Sequence, residues 1–296
     1  MDEVEFYLED LKSKFKKINP NEYYLSYSGG RDSHFLYWFL KIWLKENDHN
    51  MWNEYRFIKI VSVNTRMEHP QILRRMIDNS DVVLLPKLKP FDIKKKYGSP
   101  CFSKIQDQMI YRYNNGNKSK ATMMFINGTK NNGNTMFKLN QTAKKLLLSG
   151  KLHNVSDQCC KYLKKTPMKI YGKQNNTKPI IGIRASEGLN RKTKYTSCFT
   201  KNGKFTPIYD LTDDLLKNIE LKYKIKIPKI YKHIKRTGCM GCPYGSYMGD
   251  TKIELDLLPK KKRDYIIKYF KESYDVLGIE YETQQLNIWD LLDKEE

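Results

Sequence analysis

Long apolar runs are missing from this 296-residue chain, and no stretch reaches membrane-spanning length. The first ten residues carry five acids, so the basic start of a secretory leader is missing too. The expectation is a soluble, cytoplasmic protein with no membrane partner. Histidine is scarce, with five in all. His69, His153 and His233 have no ligand spacing, and nothing around His34 argues for catalysis. Internal repeats are absent. Acids nearly vanish between Lys87 and Lys178, where only Asp92, Asp107 and Asp157 face 20 Lys or Arg. Within a net charge of +21, such a block attracts polyanions. It also fits a solvated lysine surface in a chain whose Lys, Asn, Ile and Tyr excess reflects an AT-rich coding bias. Tyr97, Tyr111, Tyr113 and Phe125 lie among these lysines, suited either to stacking on unpaired bases or to filling a core.

What is present starts with Ser28-Gly29-Gly30-Arg31-Asp32-Ser33. Tyr23 to Tyr27 before it reads as a strand, and Phe35 to Leu44 after it reads as a helix with a broad apolar face. A strand, a Ser-Gly-Gly turn and a helix start make a cradle for phosphate. The glycines allow close backbone approach, and the N–H groups of the first helical turn point at the anion. Ser28 and Ser33 add hydroxyl donors. Asp32 would repel a bare phosphate, so its expected use is to hold a Mg²⁺ that accompanies one. No Gly-Lys-Ser/Thr follows, which excludes a Walker A loop.

The flanking pattern predicts an α/β fold with a doubly wound, mostly parallel sheet. Residues 2–17 read as an amphipathic helix, 57–63 and 81–85 as strands, and Pro70 opens a helix to Asn79. Residues 114–140 read as a loop-rich basic insertion, with Met123 to Ile126 a candidate strand inside it. Helices are expected over 139–148, 157–171, 211–223 and 261–277, and a strand over 178–183. The expected organisation is an N-terminal helix (1–20), a nucleotide-binding α/β domain (21–200) and a cysteine-containing helical extension (201–296) with an acidic end.

Six cysteines occur: Cys101, Cys159, Cys160, Cys198, Cys239 and Cys242. In an intracellular chain such spacing argues for metal rather than disulfides. Cys239-Met240-Gly241-Cys242 is a CxxC in a glycine turn. Alone it suits zinc, iron–sulfur or redox use. Cys159-Cys160 supplies a second pair, 78 residues before Cys239. Adjacent cysteines diverge in direction and fit a bulky cubane more easily than one tetrahedral zinc. Buried free thiols are the remaining reading.

The loop resembles the SGGxDS pyrophosphate loop (PP-loop) of the N-type ATP pyrophosphatases and the phosphoadenosine-phosphosulfate reductase superfamily. The cysteine spacing resembles the 4Fe–4S motif of the adenylyl-sulfate reductases within that superfamily. Ile60 to Thr65 is similar to the family's second strand, with Asn64 in place of its acid. Lys96 to Pro100, followed by Ser103-Lys104, is similar to its helix-to-Gly-x-Pro segment. Gly182-Ile183-Arg184-Ala185-Ser186-Glu187 and Arg191 resemble its substrate-binding strand and arginine loop. Thr206-Pro207-Ile208 and 211–215 resemble its Pro-Ile-x-x-Trp-Thr helix start, with Leu211 replacing the tryptophan. The likeness covers roughly residues 23–245. It implies an adenine nucleotide alpha hydrolase-like fold and nucleotide contacts from Ser28, Gly29, Gly30, Arg31, Asp32, Ser33, Lys104, Arg184 and Arg191. It further implies thiolate ligation by Cys159, Cys160, Cys239 and Cys242.

Arg184 and Arg191 suit phosphate or sulfate oxygens, or surface ion pairs. Cys198 belongs to neither pair and is a candidate sulfur-carrying thiol or a packed residue. The catalytic candidates are Asp32 and Cys198. One expected function is Mg-ATP-dependent adenylation of an acceptor, nucleic acid among the candidates, followed by sulfur transfer with help from the cluster and a sulfur or electron donor protein. A second is reduction of adenylyl sulfate or its phosphorylated form. The reductases carry a C-terminal Glu-Cys-Gly-x-His nucleophile, whereas no cysteine follows Cys242 and the chain continues through Asn287 to Leu292. A third is a zinc-stabilised nucleic-acid-binding module.

Overall fold

A computed structural model describes residues 2–130, 133–134 and 138–281. The 287–292 segment, the acidic end and part of the 114–140 insertion lie outside the described residues. The chain forms two compact units that alternate along the sequence. Unit 1 comprises residues 1–64, 70–85 and 166–229, and unit 2 comprises 65–69, 86–165 and 230–296.

Unit 1 is an α/β sandwich around a four-stranded, all-parallel sheet. Its strands are β1 (Tyr23–Ser26), β2 (Lys59–Val63), β3 (Val82–Leu84) and β4 (Lys178–Ile181). The order is β3-β2-β1-β4, with Leu25 facing Ile60 on one side and Ile180 on the other. Parallel strands covered on both faces are apolar throughout, which is why Tyr23, Tyr24 and Leu25 are all buried. This is a Rossmann-like arrangement. Strand order reverses between β1 and β4, and ligands of such sheets bind where the carboxyl ends of the strands diverge at that switch.

Helices complete unit 1. Asp2 caps the helix Glu3–Phe15 in a reciprocal box with Glu5. Val4, Tyr7, Leu8, Leu11 and Phe15 form its buried face, as the pattern predicts. Phe15 meets Phe39 and Phe205 with ring centroids 5.3 and 5.2 Å apart, tying this helix to the one after the loop. That second helix, Arg31–Trp38, passes into a π-turn, Phe39–Trp43. Thr212 caps the helix Asp213–Lys222 through its hydroxyl.

Unit 2 is mainly helical around two buried clusters. One gathers Met67, Ile93, Leu163, Met240, Ile266 and Tyr269 with Cys159 and Cys239. The other holds Cys101, Ile110, Phe125, Ile126 and Val155. Met123 to Ile126 is not a strand: it lies within the helix Lys120–Asn127. Thr122, Phe125 and Ile126 are buried at helical spacing, so the apolar run serves a helix face. The Cys159–Cys160 segment continues through a π-turn, Lys161–Lys165. Among the described residues no helix is long and apolar enough to cross a membrane.

Candidate nucleotide loop and thiol cluster

The Ser28–Ser33 run leaves the carboxyl end of β1 and enters the helix Arg31–Trp38, with Gly30 at the N-cap. Gly29 has φ +70°, and a Cβ there would stand 2.8 Å from Met76 Cγ and 2.9 Å from the Ile72 carbonyl oxygen. The turn therefore needs glycine for both its backbone and its neighbours. Two hydroxyls brace it. The Ser28 N–H donates to Ser33 Oγ at 3.2 Å, the two Oγ atoms lie 3.0 Å apart, and Ser33 Oγ donates to the Gly30 carbonyl at 3.1 Å.

The carboxyl end of β4 closes on the same loop. A Cβ on Gly182 would lie 2.9 Å from both the Asp32 carbonyl carbon and the Ser33 nitrogen. Two residues on, the buried Arg184 donates from Nε to Asp32 Oδ1 at 2.7 Å and from Nη1 to Asp213 Oδ1 at 2.6 Å. One guanidinium thus bridges the loop carboxylate and the start of the helix Asp213–Lys222. Arg31 is engaged elsewhere: its Nε donates to Glu220 Oε1 at 2.6 Å and its Nη2 to Glu220 Oε2. Arg191 lies on the short helix Leu189–Lys192, where its N–H donates to the Gly188 carbonyl. The loop, Gly182 and Arg184 meet at the carboxyl end of the sheet. The Asp32 carboxylate expected to meet Mg²⁺ already holds a cation on one oxygen.

In unit 2 the four cysteines of the two pairs share one neighbourhood. Cys159 and Cys239 belong to the buried cluster, and Cys160 and Cys242 pack against it. The Cys159 thiol hydrogen-bonds Cys160, which lowers the Cys160 thiol to about 6 with help from Lys104, Lys164 and Lys165, and raises Cys159. Burial pushes Cys239 to about 11 and Cys242 upwards as well. Lys164 is held charged, first by Cys239 and also by Glu68. Glu68 is itself fixed, accepting from the Thr65 N–H at 2.9 Å and from its hydroxyl at 2.6 Å.

Backbone contacts build the CxxC turn. The Met240 N–H donates to the Met67 carbonyl at 2.7 Å, and the Gly241 N–H donates to Glu254 Oε2 at 2.9 Å. Gly241 has φ +57°, and a Cβ would fall 2.5 Å from Tyr274 Oη. Among the described residues no three His, Cys, Asp or Glu side chains are arranged as a set for one metal ion. Zinc draws its thiolates to about 2.3 Å from one point. A cubane binds each thiolate to a different iron. The four thiols gathered at one buried cluster are donors of the soft type that either group takes.

The remaining candidates divide between the two units. Lys104 belongs to unit 2, with its Nζ 6.0 Å from the Tyr244 ring centroid, whereas the loop belongs to unit 1. Cys198 lies in unit 1 and is half-buried, and burial raises its thiol despite Lys14 and Lys17. Cys101 is buried in a core cluster, its thiol raised to about 12. Sequence reasoning missed Glu68, Lys164, Asp213 and Glu220. Lys164, Asp213 and Glu220 gain their roles from partners distant in sequence, whereas Glu68 is held by Thr65, three residues before it.

Fold and loop together define a Rossmann-like α/β protein with a glycine-bearing loop at the sheet's switch point. No family model matches the chain, and no curated protein matches it.

Proposed function

We propose that this chain is a PP-loop enzyme of the phosphoadenosine-phosphosulfate reductase superfamily that uses ATP to adenylate an acceptor. An acceptor oxygen attacks the α-phosphorus, the bond to the β-phosphate oxygen breaks, and pyrophosphate leaves. The observation that carries this reading is the loop at the β1–β4 switch, with Gly182 against its backbone and Arg184 at its carboxylate. The helix N–H groups and Arg184 would take up charge that grows on the phosphates. Asp32 and a nucleotide phosphate compete for one guanidinium, so nucleotide entry would free Asp32 as Arg184 turns to phosphate. Mg²⁺, when bound with ATP, supplies further charge neutralisation. Activation of the acceptor precedes sulfur transfer in this reading, and a cluster on the four cysteines would supply iron able to hold sulfur or electrons.

The test is nucleotide turnover by anaerobically purified protein with ATP, Mg²⁺ and candidate acceptors. AMP and pyrophosphate are expected, and Asp32→Ala should abolish their release while visible cluster absorbance persists. Retained turnover in that variant would remove Asp32 from the role given to it. The gathering of the four cysteines favours a second reading, sulfonucleotide reduction. Sulfite from adenylyl sulfate and a thiol reductant, with no pyrophosphate from ATP, would establish that reading instead.

A further inference from the structure

We propose that the stacked Tyr97–Tyr162 pair and its lysines form a platform for a single-stranded nucleic acid. This inference does not depend on the adenylation reading. Three segments of unit 2 build the platform. Tyr97 ends the helix Pro90–Tyr97, Tyr111 lies on the helix Lys104–Asn114, and Tyr162 lies on the π-turn Lys161–Lys165. The Tyr97 and Tyr162 rings are nearly parallel, 14° apart with centroids 4.8 Å apart. Tyr111 meets Tyr97 edge-on at 6.4 Å. Exposed Lys96 places Nζ 5.3 Å from the Tyr97 centroid, and exposed Lys161 places Nζ 5.0 Å from that of Tyr162.

These rings are half-buried, unlike Tyr269 and Tyr274, which are fully enclosed in the core. Aromatic faces flanked by ammonium groups match the alternation of base and phosphate along an unpaired strand. A duplex has already closed its base faces by stacking and offers none to a tyrosine. The charge around the platform has the right sign. Residues 86–165 contain 17 Lys or Arg and three acids. Two of those acids are used locally: Asp92 accepts from the Lys89 N–H at 3.1 Å, and the buried Asp107 accepts from the Cys101 and Phe102 N–H groups. An acidic polypeptide would find the lysines but has no flat faces for the ring pair.

The test is fluorescence anisotropy of the full chain with labelled single-stranded RNA, its DNA counterpart and a duplex, each about 20 units long. The single strands should bind more tightly than the duplex, and the tighter of the two identifies the sugar preferred. Tyr97→Ala and Tyr162→Ala should each weaken binding by roughly 5- to 150-fold, whereas the Phe variants should retain it. Lys96→Glu and Lys161→Glu, both at exposed positions, test the charge without disturbing the core. Each should weaken binding and lower the salt slope by about 0.7. Equal affinity for duplex and single strand, unchanged by the tyrosine variants, would overturn the platform. So would polyglutamate binding as tightly as the strands. Pyrophosphate release without strand binding would remove this inference and leave adenylation standing. Strand binding with no pyrophosphate release would support the platform and remove adenylation.

Discussion

Arg31 stands inside the loop motif, yet its guanidinium grips Glu220, 189 residues away. The fork is two-pronged, and Glu220 is only 6% exposed against 26% for the Arg31 side chain. Arg31→Met removes the cation and strands a buried carboxylate. Breaking a fully buried pair costs about 3–5 kcal/mol, and the solvent reaching Arg31 reduces this to roughly 2–4 kcal/mol. At about 2–4 °C per kcal/mol for a chain of this size class, the melting temperature should fall by roughly 5–15 °C. The double variant Arg31→Met/Glu220→Met replaces both charges with apolar volume and should recover most of that loss. Thermal unfolding followed by circular dichroism gives the stability arm, and calorimetric titration with ATP gives the binding arm. An Arg31→Met protein that melts with the wild type would refute the argument. So would a stable double variant that has lost its ATP affinity, because Arg31 would then serve the nucleotide.

Gly182→Ala tests how closely β4 approaches the loop. Its Cβ would meet backbone atoms that cannot turn aside, so about 1–3 kcal/mol of stability should be lost together with ATP affinity, and unchanged calorimetric binding would disprove the contact. Gly241→Ala combines a left-handed backbone with a Cβ against Tyr274 and Ile266. Iron and sulfide content after anaerobic purification should fall with the melting temperature, and full content would contradict the packed turn. Burial raises Asp107 from 3.8 to about 6, so the folded state holds its proton more tightly than the unfolded chain. That contribution of about 3 kcal/mol is present below pH ~4 and lost as pH rises through ~6. Urea unfolding across this range should show the decline, and Asp107→Asn should flatten it.

The sheet was legible because its strands are short and mostly apolar, and because the Ser-Gly-Gly turn marks where one ends. The helix Glu3–Phe15 was legible from period alone, since Val4, Leu8, Leu11 and Phe15 repeat at one face. Met123 to Ile126 misled because four apolar residues in a row suit a strand or a helix, and only Thr122 buried beside them decides. The partners of Arg31 and Arg184 were illegible for another reason. A cation's partner is set by tertiary approach, 189 and 152 residues distant, and no local pattern records it. The four thiols were easier to associate, because soft donors in pairs have few uses apart. Neither π-turn left a mark in the composition.

The alternation of the two units has a consequence for synthesis. A ribosome delivers residues 1–229, which contain all of unit 1, before the last segment of unit 2 exists. Cys159 and Cys160 emerge long before Cys239, with 78 residues between the pairs. At about 5–20 residues per second, that gap lasts roughly 4–16 s on each nascent chain. For that interval two adjacent thiols stand without the turn that later packs beside them, free to oxidise to one another or to capture stray metal. The order of the cysteines thus makes the thiol cluster a late product of translation, and makes chaperoning of the first pair a matter of timing.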